Sequence, residues 1–147
     1  ANAYFVPDIG IIRAITGAAQ RGVAVHVLVP DHSDVPVVDW VRGYFYDKLL
    51  AAGVRIHHWN QSVLHAKVAV VDDAWAMVGS YNLDWMSLLR LHEVVVAVLD
   101  SGFATRLSAI LRADIAASRE ILPALWGKRP FWRRWAERFL YLFRRYL

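Results

Sequence analysis

The sequence predicts an α/β domain, a mixed β-sheet flanked by helices. Two observations carry this. Short β-branched runs alternate with longer stretches of helical periodicity, and Pro or Gly punctuates the changes. In the middle of the chain two such runs are separated only by Asp72-Asp73, which reads as a hairpin turn rather than a crossover. Helix-spaced connections give parallel pairs and a hairpin gives an antiparallel one, so the sheet is expected to be mixed.

The elements follow in order. Residues 3–6 read as a short strand ending at Pro7. Asp8 caps a helix in which Ile9, Ile12, Ile15 and Ala19 recur at helical spacing, and Gly22 closes it. Residues 23–29 form a strand ended by Pro30. Asp31-His32-Ser33-Asp34 is then a polar loop at the strand's C-terminal end, where ligands of open α/β sheets tend to sit, with helix capping the expected role of Asp34. A helix from Pro36 to Leu50 and a strand over 54–59 come next. A strand through Val71 contains His65 and Lys67, and a return strand covers 74–78. Leu91–Leu99 reads as a Val-rich strand. Gly102–Ile121 reads as a helix with Phe103, Leu107, Ile110, Leu111 and Ile115 along one side. No internal repeat is evident.

Composition sets limits. A chain of 147 residues, 57% apolar and with seven Trp, suffices for one core. Without cysteine there is no disulfide framework and no thiolate metal site. His57 and His58 are adjacent on a strand and point to opposite faces, so they do not share an ion with His65. No apolar run is long enough to span a membrane. The chain opens without Met, directly into an apolar run, which leads us to expect a piece of a longer protein.

Two units are expected, residues 1–121 and a tail, 122–147. From Lys128 to Leu147 there are seven Lys or Arg and one acid, Glu137. On a helix starting near Pro130, Phe131, Trp132, Trp135, Phe139, Leu142, Phe143 and Tyr146 share one half. Arg133, Arg134, Glu137, Arg138, Arg144 and Arg145 share the other. A basic amphipathic helix with a Trp/Phe face suits an anionic membrane interface. A contact with a neighbouring domain or a second copy is the competing reading.

The chemistry concentrates in one stretch. His65-Ala66-Lys67 begins H-x-K-x-x-x-x-D, ending at Asp72, and Gly79-Ser80-Tyr81-Asn82 follows six residues later. Displacement at a phosphodiester needs a neutral nucleophile and fixed donors for the phosphoryl oxygens. A histidine supplies the first near neutral pH. Lys67, Ser80 and Asn82 supply the second. Asp72, at the turn, is better placed to hold the hairpin than to touch substrate. A hairpin that merely carries these residues is the bland alternative, and the number of fixed positions argues against it.

This pattern resembles the H-K-D signature of the phospholipase D superfamily. The flanking stretches Ala3–Asp8, Ala18–Val23, Ser33-Asp34, Leu49–Val54 and Asn82–Asp84 resemble the C-terminal half of bacterial cardiolipin synthases. The resemblance covers the chain to about residue 121. It implies a phospholipase D-like fold and phosphatidyl transfer to a lipid alcohol through a phosphohistidine, with no metal and no cofactor. It makes His65 a catalytic histidine, of either role. Lys67, Ser80 and Asn82 become phosphate ligands, Asp72 the third motif residue, and Glu93 the acid that orients His65. The family pairs two motifs and this chain has one. The partner is therefore expected to be an N-terminal half-domain with a second motif, or a homodimer mate. Phospholipid substrates and a peripheral position on the cytoplasmic side of the cell membrane follow from the same resemblance. The alternative is a phosphodiesterase or nuclease acting as a homodimer, disfavoured because the basic residues gather on an aromatic-backed tail and not along the sheet. A non-catalytic membrane-docking module is a third reading, disfavoured by the intact motif.

Overall fold

The computed structural model describes residues 1–146; Leu147, the last residue of the tail, and the side chain of Arg145 lie outside the described residues. Helix α1 (Ile9–Gln20) leads to β1 (His26–Pro30), α2 (Pro36–Ala51), β2 (Arg55–Trp59), β3 (Val68–Val71) and β4 (Trp75–Gly79). Then come α3 (Trp85–Leu89), β5 (Val95–Leu99), α4 (Ser101–Ala116), β6 (Arg119–Glu120), α5 (Pro123–Trp126), α6 (Phe131–Tyr141) and a 3-10 turn at Arg144–Tyr146.

The strands form two three-stranded sheets, β1-β2-β6 and β3-β4-β5. β1 and β2 are parallel, as a helical crossover through α2 requires, and β6 adds antiparallel to β2. β3, β4 and β5 are antiparallel. The expected strand over 3–6 is reduced to two isolated bridges, Asn2 with Lys67 and Phe5 with Leu83. They still matter, because this ribbon joins the sheets. The Asn2 N–H donates to Leu28 O of β1 at 3.0 Å, while the Val68 N–H donates to Ala1 O at 2.9 Å.

Asp8 caps α1 as expected, accepting from Gly10 N at 2.6 Å. Gly22, at φ 92°, takes the left-handed turn that closes the helix. Asp34 does not cap α2. The N-cap is Val35, with no side-chain bond, and Pro36 starts the helix where its missing N–H costs nothing. The helix expected to run to Ile121 stops at Ala116. Arg119-Glu120 pairs with β2 instead, and Ile121 is buried in the core, where a strand end satisfies both its backbone and its side chain. A short helix, α3, sits where sequence periodicity had too few residues to register, and β5 starts at Val95, leaving Glu93 in the preceding loop.

The core lies between α1, α2 and the β1/β2 pair. Val27 and Val29 meet Val41, Phe45 and Leu49 of α2 and Ile12 of α1, with Ile56 beside them. Burying each such side chain contributes roughly 1.5–3 kcal/mol. Leu28 is also buried, on the opposite face of β1, so this strand is covered on both sides.

The tail docks in an unexpected orientation. Glu137, placed with the solvent-facing polar half by its charge, is 1% exposed. Arg129 donates to it at 3.1 Å, Arg133 lies 3.3 Å away, and its carboxylate packs over Gly43 of α2. Helix α6 thus meets α2 through a compensated ion cluster. Phe131, Trp132, Trp135, Phe139 and Leu142 face outward and are exposed. α5 anchors the start of the tail, with Trp126 Nε1 donating to Asp47 at 2.9 Å. Arg144 lies over the Trp85 ring of α3, 5.6 Å from its centroid. The tail therefore runs across α2 to the helix that follows the G-S-x-N segment.

Candidate active site

The two parts of the motif are brought together by the start of the β3–β4 hairpin. Gly79 N–H donates to Lys67 O at 3.1 Å, so the end of β4 lies beside Lys67. Only glycine fits at 79, because a Cβ there would lie 2.3 Å from Val94 O. This close approach lets Ser80 N–H donate to Val94 O at 2.9 Å and Val94 N–H donate to Ser80 Oγ at 3.0 Å.

Lys67 is 7% exposed, and its Nζ donates to His65 O at 3.0 Å. Among the described residues no carboxylate forms an ion pair with it. Burial lowers its pKa, and the fields of Glu93, Asp84 and Asp34 oppose this. A buried ammonium that lacks a direct counter-ion is a site for an anion. His65 lies in the loop before β3, not in the strand, and its side chain is exposed. The pair therefore does not share one sheet face as strand alternation predicts. Lys67 turns inward while His65 points out beside it. Among the described residues the His65 imidazole makes no hydrogen bond.

Glu93 reaches the same neighbourhood, but its partner is Ser80. The Ser80 hydroxyl donates to Glu93 Oε2, and this bond is the main cause of a pKa below the usual carboxylate range. The sequence expectation that Glu93 holds His65 is not realised in this arrangement. Asn82 is buried, its N–H donates to Ser87 Oγ at 3.3 Å, and its Oδ1 has no hydrogen-bond partner among the described residues. Asp72 stands apart. It and Asp73 take φ of 52° and 51° in the hairpin turn, a region Asp tolerates better than most residues. It is about 17 Å along the strand from Lys67, five residues at about 3.3 Å each. It sits in the turn, away from Lys67. Asp73 ties the turn to α4 through Arg112 at 3.0 Å.

Several residues escaped the sequence reading. Tyr4 OH donates to Asp34 at 2.8 Å, and that bond raises the tyrosine's pKa. Asp84 caps α3, accepting from Ser87 N at 2.7 Å, and burial raises its pKa. Asn2 accepts from Leu83 N at 3.1 Å. The D-x-x-S spacing at 84–87 was a usable cap signal; Asn2 and Tyr4 gave none.

Three of the other histidines, His26, His57 and His58, form a separate system, with His57 and His58 split across the sheet as alternation requires. His57 meets His26, ring nitrogens 3.0 Å apart. His58 lies between Tyr46 OH at 2.9 Å and Asp31 at 2.9 Å, and Arg119 closes the chain onto Asp31. Burial, then Arg42, push the His58 pKa down to about 4 from 6.5. The unfolded chain thus binds more protons in that interval, so stability falls as pH drops from about 6.5 towards 4 and levels off below. The loss from His58 is expected to reach about 3 kcal/mol at most. Denaturant midpoints at pH 7, 5.5 and 4 check this. His58→Phe should flatten part of the slope, with His26 and His57, shifted in the same direction, supplying the remainder.

Comparison with known proteins places this geometry. The pattern of the family described as "Cardiolipin synthase, PLD-like domain" matches residues 1–115. Cardiolipin synthase A from Escherichia coli O1:K1 / APEC is 42% identical over 140 residues, 95% of this chain and 29% of that protein. The protein of the same name from Escherichia fergusonii gives the same values: 42% over 140 residues, 95% and 29%. The chain thus spans less than a third of the length of these relatives, and its likeness to them continues past residue 115 into the tail. The structure of Nuc, a phospholipase D family member from Salmonella typhimurium, superposes with a TM-score of 0.69 at 19% identity, over 81% of this chain and 78% of that one. NucT from Helicobacter pylori gives a TM-score of 0.62 at 17% identity, over 81% and 79%. The fold is that of phospholipase D family members, and the chain belongs to the phospholipase D-like domains of the cardiolipin synthase family.

Proposed function

We propose that this chain is the C-terminal catalytic half-domain, carrying one of two H-K-D motifs, of a phosphatidyltransferase of the cardiolipin synthase type. The observation that carries the reading is Lys67, a buried ammonium without a paired carboxylate, with exposed His65 on one side and the Ser80–Glu93 pair on the other. A phosphodiester fits what these residues lack. Its oxygens meet Lys67, the Ser80 hydroxyl and the Asn82 amide.

One histidine of a pair attacks phosphorus through a ring nitrogen. The N–P bond forms, the P–O bond to the leaving alcohol breaks, and the other histidine gives that oxygen its proton. The acceptor alcohol then returns a proton to the second histidine and attacks phosphorus, and the N–P bond breaks. His65 fills one of the two roles. When the Ser80 hydroxyl turns to the phosphate, Glu93 is released to accept from the second ring nitrogen of His65 and fix its tautomer. No metal or cofactor enters these steps.

The second motif comes from an N-terminal half or from another copy. The exposed apolar side chains Leu89, Leu91, Val94, Val96 and Leu99, on α3, the following loop and the outer strand β5, support such a covering partner. The tail carries the site to an anionic membrane surface on the cytoplasmic side. Among the described residues no helix is long and apolar enough to cross the membrane.

The test is turnover by the full-length protein on vesicles of phosphatidylglycerol, read as cardiolipin and glycerol released in equal amounts. Water-derived phosphatidic acid alone, or cleavage of DNA, would replace this reading with the phosphodiesterase or nuclease one. Within the site, Ser80→Ala and Glu93→Gln are each expected to lower kcat by about 10–100-fold, since each removes one fixed polar group and leaves the histidine. For Glu93→Gln the acid limb of the pH–rate profile should move with it, which a merely structural loss would not do.

A further inference from the structure

A groove runs between α1, α2 and α6, enclosing about 240 Å³. One wall is apolar, made by Ile9 and Ile12 of α1, Tyr44 of α2 and Tyr141 of α6. Lys48, Arg134 and Arg138 line the rest, along with Asp47 and Glu137. Arg129 occupies both acids, at 2.8 Å from Asp47 and 3.1 Å from Glu137. The three remaining cations are not neutralised this way. Among the described residues Lys48 and Arg138 make no ion pair and no side-chain hydrogen bond, and Arg134 gives a single bond to Gly127 O at 3.0 Å.

Like charges gathered around an apolar slot repel one another, and here the only answer among the described residues is partial: Arg134 feels the field of Asp47, while both acids are already bonded to Arg129. Position says what would complete it. At 100° per residue, Arg134 and Arg138 lie on α6 between its docked side, with Glu137 and Tyr141, and its exposed side, with Phe131 and Trp135. The groove therefore opens along the flank of the aromatic ridge.

We propose that this groove binds the headgroup of an anionic phospholipid, as a site separate from the His65 centre. The phosphate lies between Lys48, Arg134 and Arg138, and the glycerol and first acyl carbons rest on Ile9, Tyr44 and Tyr141. The assignment rests on the reading that the tail rides on a membrane, and it adds a defined lipid site to diffuse attraction.

The experiment is co-sedimentation of the full-length protein with vesicles containing phosphatidylglycerol, against vesicles of phosphatidylcholine alone. Lys48→Met with Arg138→Met should weaken binding to the anionic vesicles by about 25-fold, at roughly fivefold per cation. Diffuse attraction predicts a similar loss, so the deciding variant is Ile9→Trp. Ile9 is half exposed, and the larger ring fills the slot without changing charge. Diffuse attraction predicts unchanged or tighter binding, because an exposed Trp favours the interface. A lipid-filled groove predicts several-fold weaker binding, and unchanged or tighter binding by Ile9→Trp overturns the proposal. Trp135→Ala with Phe139→Ala should weaken binding to both kinds of vesicle. If the unmodified protein binds neither, the membrane reading falls and the groove site falls with it. If it binds and only the Ile9→Trp result fails, the groove site alone is wrong.

Discussion

Replacing His65 with Ala is expected to abolish phosphatidyl transfer, lowering kcat by at least about 10³-fold, while leaving the melting temperature unchanged. The separation of the two effects follows from the geometry. The His65 imidazole is exposed and makes no hydrogen bond among the described residues, so its removal breaks no packing and orphans no partner. Its chemistry, by contrast, has no substitute nearby. Lys67 is buried and committed to the His65 carbonyl at 3.0 Å, and the remaining neighbours, Glu93 and Ser80, are bonded to each other. On the proposed two-histidine mechanism the loss holds whether His65 is nucleophile or proton donor, because a pair acting as a unit stops when either member is removed. Mixing distinguishes the roles. His65→Ala protein mixed with a labelled phosphatidyl ester of p-nitrophenol, whose phenolate leaves without a proton donor, and quenched without acid should retain label on protein if the other histidine is the nucleophile. It should retain none if His65 itself forms the bond. Turnover by His65→Ala within tenfold of the unmodified protein would remove His65 from the reaction.

The sequence made the motif legible because its chemistry is written as spacing. His65, Lys67, Gly79, Ser80 and Asn82 are polar or minimal residues at fixed offsets in an apolar segment, and each had a reason to be there. The hairpin turn was equally legible, since Asp72-Asp73 between apolar runs leaves little else. Contacts that cross the chain were not. Lys67 is buried where Asn2, 65 residues away, bridges to it, whereas His65 lies in the loop before the strand, outside its alternation, and is exposed. Glu93 was placed near the site by resemblance, but its bond to Ser80 depends on how closely Gly79 lets β4 approach Val94. The tail shows the same division. Its amphipathic pattern is visible as a 3.6-residue period, but a period does not say which face docks. The sequence reading gives the Trp/Phe face to a membrane interface and leaves the dock of the ionic face unread, whereas α2 offers a glycine and an acid and receives Glu137 and its arginines.

That inverted docking gives the second large effect. Glu137→Ala is expected to destabilise the docked tail by about 3 kcal/mol, the usual cost of breaking a buried ion pair from one side. Arg129, with 5% of its side chain exposed, would keep Asp47 but lose the partner on its other side. Gly43→Ala is a smaller change with a less obvious sign. Alanine gains about 1 kcal/mol over glycine in a helix interior. Its Cβ, however, would lie 2.7 Å from Glu137 Oε1 and 2.9 Å from Cδ, and that carboxylate is held by two arginines and cannot swing away cheaply. Overpacking of this kind costs about 1–3 kcal/mol, so a net loss near 1 kcal/mol is expected. The two substitutions should then couple. With Glu137 shortened to Ala, the methyl at 43 meets no carboxylate, fills part of the space left and keeps its helix advantage. The double variant should therefore be at least as stable as Glu137→Ala alone, a coupling of about 1–2 kcal/mol. Thermal melts read the total, and the rate of trypsin cleavage after Arg133, Arg134 and Arg138 reads the tail separately. Strict additivity of the two losses would mean that Glu137 does not sit over Gly43 in solution, and that α6 docks by another face.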